Sequence, residues 1–173
     1  MDGQMPMGAM PPKQEHHGMP GWIAIIVILA LLAGGYWFWQ QSGGAGGSTE
    51  EIAPGQTLTK APRGRVIAGF PQEFLLEDGV AIAESASINY ADSGTDLFSV
   101  SYLSKKSFEE NIAAFRSYLE QNGWDITQMA NPENEPVTNF YAYKGQAEVN
   151  ITLALTDEGV AMTIAYVVHG QQQ

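Results

Sequence analysis

With no cysteine and only three histidines in 173 residues, the chain offers few starting points for nucleophilic or metal chemistry. The first is a run of soft ligands near the N-terminus, where Met1, Met5, Met7, Met10 and Met19 crowd around the pair His16 and His17. Thioethers with imidazole suit Cu(I), so this head is a candidate copper-capturing segment; the alternative is a flexible tail of biased composition. His169 stands alone at the end of the last expected strand, a poor frame for the general base of a Ser-His-Asp arrangement. Carboxylates pair at Glu77 and Asp78, Asp92 and Asp96, Glu133 and Glu135, and Asp157 and Glu158. All fall in expected turns, where they stay solvated, whereas a general acid needs burial to raise its pKa. Asp92 and Asp96 offer two oxygen ligands to calcium but lack the denser spacing of a D-x-D-x-D-G loop. The glycines between 43 and 47 precede no helix and have no lysine beside them, so they form no phosphate loop. No catalytic residue and no cofactor is assigned, and the expectation is a protein that binds and is not an enzyme.

More informative is what alternates with the apolar residues of the expected strands. Ser85, Ser87, Ser99, Ser101, Thr152, Thr163 and Ala165 fall opposite the apolar rows, together with Asn150 and several alanines, and none carries a charge. An antiparallel face open to water normally bears Lys, Glu or Arg at many such positions. A small-residue face of this kind suits another protein, a second copy, or a polymer laid flat; the alternative is that the segment from 49 to 75 covers it. Tyr141 and Tyr143 share a face one strand over, either as a stacking platform for a sugar or peptide or as core.

The elements that must hold these residues follow from periodicity. Val80, Ile82, Ala86, Ile88 and Tyr90 alternate with small or polar residues, a period of two interrupted only by Glu84. A turn at Asp92-Ser-Gly94 leads to a second arm with Phe98, Val100 and Tyr102. Ser107 and Glu110 form a capping-box pattern, and Phe108, Ile112, Phe115 and Leu119 follow at helical spacing until Gly123, which predicts a helix from Ser107 to Gln121. Strands are expected at 124–129, 137–143, 148–155 and 160–168. The fold class is therefore α+β, a mainly antiparallel sheet in the order β-β-α-β-β-β-β with one helix across a face.

The stretch S-K-K-S-F-E-E-N-I-A-A-F-R-S-Y-L-E-Q-N-G-W-D-I-T, residues 104 to 127, resembles a pattern in small uncharacterised bacterial envelope proteins. In these a strand leads into a helix ending in Gly-Trp, with β-hairpins after it. The likeness spans about 100 residues of mostly core and cap positions. It implies a fold and a location and carries over no catalytic residue.

Ahead of this domain, residues 22 to 39 form an uncharged apolar run that spans roughly 27 Å as a helix, close to one hydrocarbon core. Trp22 marks one interface and Tyr36, Trp37 and Trp39 the other. A cleaved signal peptide is the rival reading, with Ala33, Gly34 and Gly35 as the small residues. Lys13 on the head side, against Glu50 and Glu51 beyond the run, places the N-terminus in the cytoplasm and the C-terminal domain outside. The expected organisation is a disordered head at 1–20, a transmembrane helix at 21–40, a Gly/Ser-rich tether at 41–64, the domain at 65–170 and a short tail at 171–173. Beyond residue 40, seven basic residues face seventeen acidic ones, a balance that repels phosphate backbones and argues against nucleic-acid binding. Two functions fit: a tethered domain displayed for binding a protein partner or itself, or an accessory subunit acting through its span, where Ala30, Ala33, Gly34 and Gly35 allow close helix approach.

Overall fold

Among the described residues four strands precede one helix and four follow it. In the computed structural model, which describes residues 46–129 and 137–170, the first group is β1 (Ser48–Ala53), β2 (Gln56–Lys60), β3 (Ile82–Tyr90) and β4 (Thr95–Ser104). Helix α1 (Phe108–Gln121) leads to β5 (Asp125–Met129), β6 (Val137–Lys144), β7 (Ala147–Thr156) and β8 (Gly159–Val168). Together they form one antiparallel sheet in the order β1-β2-β3-β4-β8-β7-β6-β5. The chain leaves β4 through α1, starts again at the far edge with β5, and returns so that β8 pairs with β4 at the centre. The head, the apolar run with its four aromatic anchors, and Glu133 and Glu135 lie outside the described residues. Among the described residues no helix is long and apolar enough to cross a membrane.

The helix forms where its sequence signals place it. Ser107 Oγ accepts from the Glu110 N–H at 3.2 Å, and Glu110 Oε2 accepts from the Ser107 N–H at 2.8 Å, which holds the Glu110 carboxyl below its usual range. At the other end Gly123 takes φ 70°, and two backbone bonds close a Schellman turn: Trp124 N–H to Leu119 O and Gly123 N–H to Glu120 O. The apolar stripe Phe108, Ile112, Phe115 and Leu119 is buried against one face of the sheet. Its partners are Val100 and Tyr102 on β4, Met162 and Ile164 on β8, Ile151 and Leu153 on β7, and Phe140 on β6. The segment from Ala61 to Ala81 supplies the rest of the cover on that side through Ile67, Phe70 and Phe74. Gly69 makes the close approach possible, because at φ 93° its position would drive a Cβ to 2.7 Å from the Phe98 ring.

Three expectations need correction. The stretch expected as tether up to residue 64 contains β1 and β2, a hairpin that extends the sheet beyond β3. The segment 61–81 lies on the helix side, so it is not the cover of the other face that the alternative reading of 49–75 allowed. Finally, β3 carries a bulge between Ile82 and Glu84. One extra residue exchanges the faces of everything after it, so Ser85 and Ser87 point to the helix side while Ala86 and Ile88 point away.

Candidate functional site

Register across the sheet fixes which small residues meet. Ser99 of β4 lies opposite Ala165 of β8, which lies opposite Asn150 of β7; in the next row Ser101, Thr163 and Thr152 align in the same way. Ser99, Ser101, Thr152, Thr163 and Ala165 therefore form one patch at the centre of the face away from α1. Most of these side chains are half-buried, and Ala165, flanked by its neighbours, is only 3% exposed. Ser85 and Ser87 do not join them. Ser85 is 3% exposed beneath the 61–81 segment, where its Oγ accepts from the Ile67 N–H at 2.9 Å and donates to Ser99 O at 3.0 Å. It is a structural latch for that segment.

Charge borders the patch on both sides: Glu84 of β3 lies directly opposite Ser101, with Lys60 of β2 and Glu50 of β1 farther out, and Glu148 of β7 and Asp125 of β5 stand on the other side. Tyr141 and Tyr143 lie on this face and stay out of the core. The Tyr141 hydroxyl donates to Glu148 Oε2, and the Tyr143 hydroxyl to Asp125 Oδ2. Burial, aided by the bond to Glu148, pushes the Tyr141 phenol up to about 12, while Asp125 raises that of Tyr143 through its hydrogen bond. The second oxygen of Glu148 lies 2.8 Å from His169 Nε2, and the His169 N–H donates to Gln146 O at 3.0 Å. His169 is thus tied to the sheet, against the expectation of a loose end, in an exposed pair with Glu148.

The expected solvated carboxylates divide. Asp157 and Glu158 are exposed in the β7–β8 turn, and Asp96 accepts from Asn89 Nδ2 at 2.8 Å. Among the described residues no cluster of three His, Asp or Glu side chains could hold a metal ion. Glu77, in contrast, is a structural acceptor: Ser104 Oγ donates to it at 2.6 Å and the Lys105 N–H at 3.1 Å. Buried Asn111 donates to Ser104 Oγ at 3.0 Å and to Ser107 O at 2.9 Å, so this network pins the 61–81 segment to the start of α1.

A concavity of about 480 Å³ opens on the helix side at the end of α1. The 3₁₀ turn Gln72–Phe74 turns Phe74 inward to 1% exposure and leaves Glu73 outside. Around Phe74 stand Tyr118 at 5.4 Å, Trp124 at 5.5 Å and Tyr166 at 5.7 Å between ring centroids, all three half-buried. The Schellman turn places Trp124, and Tyr166 comes from the apolar row of β8. Burial first, and then the negative charge of Glu73, raises the pKa of both Tyr118 and Tyr166. By pattern alone Trp124 and Tyr166 are strand residues; the one local signal for the cleft is an aromatic immediately after a helix stop, with a second aromatic at Tyr118.

No family model, no curated protein and no solved structure matches the chain.

Proposed function

We propose that the chain is a single-pass, membrane-anchored protein whose tether presents the α+β domain outside the membrane as a non-enzymatic module for binding a protein partner or a second copy. The observation that carries the binding role is the patch of Ser99, Ser101, Thr152, Thr163 and Ala165 at the centre of a sheet whose other face is fully used by α1 and residues 61–81. Small uncharged side chains cost less to desolvate than charged ones, their hydroxyls can hydrogen-bond a partner, and a partner surface can approach the strands closely over them. The membrane anchor rests on the charge-free run from Trp22 to Trp39 with aromatic residues at both ends. The resemblance of residues 104 to 127 to envelope proteins points the same way. In the full-length chain, Thr163→Arg or Thr152→Arg should abolish any partner adduct crosslinked in native membranes, because a long charged side chain would stand between the strands and the partner surface. Ala113→Arg, on the exposed side of α1, leaves that species intact. Unchanged crosslinking in all three variants would remove the sheet face from the account.

A further inference from the structure

The cleft at the end of α1 lies on the opposite side of the sheet from the proposed contact patch and has a chemistry of its own. We propose that it binds a small quaternary ammonium group, a trimethylammonium head of the kind choline carries. Tyr118, Trp124 and Tyr166 surround the space over Phe74 without stacking on one another. Tyr118 and Trp124 incline at 67° and 65° to the Phe74 ring, and Trp124 and Tyr166 stand at 71° with centroids 6.4 Å apart. Steeply angled aromatic walls present several ring surfaces to one guest, and the quadrupole of each ring attracts a cation.

The charges around the rings favour the same guest. Glu73 lines the cleft and makes no hydrogen bond or ion pair among the described residues. The last carbonyls of α1 carry the negative end of the helix dipole, and the helix has no basic residue in its last turn. Lys144 at the rim is already drawn to that end, its Nζ donating to Asn122 O at 2.8 Å. The Asn122 amide is likewise engaged, with the Tyr118 carbonyl at 2.8 Å. The lining therefore holds one carboxylate, Glu73, and one cation, Lys144, whose hydrogen bond holds it at the helix end. A primary ammonium would surrender strong hydration to enter and would need acceptors for three N–H groups, as Lys144 illustrates. A trimethylammonium group surrenders less water and uses the ring faces directly.

The test follows the Trp124 indole N–H by NMR in the full chain, held in a maltoside detergent that itself has no ammonium group, with Trp124→Phe assigning the signal. Choline and tetramethylammonium should shift this resonance saturably, and 3,3-dimethylbutan-1-ol, the neutral isostere of choline, should bind about tenfold more weakly. Glu73→Gln, at an exposed position, should weaken choline several-fold without changing the isostere. Lys144→Gln should tighten choline by removing the competing cation. A shift in phosphatidylcholine nanodiscs without added choline identifies a lipid headgroup as the source of the group. Its absence there, with binding of free choline, identifies a soluble ligand. Equal binding of the neutral isostere, insensitivity to Glu73→Gln, or no response to choline at about 100 mM would each overturn the proposal.

Discussion

On the side of the sheet that α1 covers, Val100, Tyr102, Phe140, Val149, Ile151, Leu153, Met162 and Ile164 are all at most 3% exposed. On the other side the residues alternating with them include Ser99, Ser101, Asn150, Thr152, Ala161 and Thr163, half-buried and uncharged. The central strands therefore differ on their two faces, core on one and, in the proposed reading, contact on the other. Strand geometry makes this separation possible, since successive side chains point to opposite faces and a change on one need not disturb the other.

The largest expected effect belongs to the covered face. Phe74→Ala, which empties the point where the 61–81 segment meets Tyr118, Trp124 and Tyr166, should cost about 3–5 kcal/mol in chemical denaturation. A loss below about 1 kcal/mol would mean that this segment is not part of the core. Next comes a pH effect. Burial, with the nearby charge of Glu77, pushes the Tyr102 phenol up to about 12 from its ordinary value near 10. The folded state then keeps its proton while the unfolded chain loses it, so stability is full below about pH 10 and falls by roughly 2 kcal/mol as pH rises toward 12. Tyr102→Phe should flatten most of that decline; Tyr141→Phe, on the half-exposed face, should flatten it less. Ser107→Ala removes half of the capping box and should cost about 1 kcal/mol, measured in the same denaturation series. Smallest of all, Ser101→Ala or Thr152→Ala should change stability by less than about 0.5 kcal/mol. A clear loss there would show that the open face is structural, and the comparison would fail.

How much of this could be read from residues alone depended on burial. The helix, its capping box and its glycine stop were legible because caps and the 3.6-residue stripe are local signals. β6, β7 and β8 were legible because one face of each is buried and alternation follows. β1 and β2 were not, since Leu58 is the one buried residue of that edge hairpin and the polar remainder reads as linker. The patch was only partly legible. Glu84 interrupted the alternation of β3 and was the visible trace of the bulge, but a period of two continues on both sides of a bulge with its faces exchanged, so Ser85 and Ser87 were assigned to the wrong side. The aromatic cleft was hidden for a different reason. It joins Glu73 and Phe74 to Tyr118, Trp124 and Tyr166, residues brought together only by tertiary folding, with no motif spacing to announce them. The hairpin also bears on any shortened chain: one beginning at Arg65 lacks β1 and β2 and leaves the β3 edge and Ile88 without their partners.

The central claim is that the uncharged face is where another protein sits. The most direct measurement places a photo-crosslinking amino acid at Thr163 in the full-length chain, with Ala113 on the exposed side of α1 as the paired position, and activates each in native membranes. The account predicts a discrete protein adduct, or a dimer of the chain, from Thr163 and none from Ala113. Adducts of equal kind and yield from both positions, or none from Thr163, would contradict it.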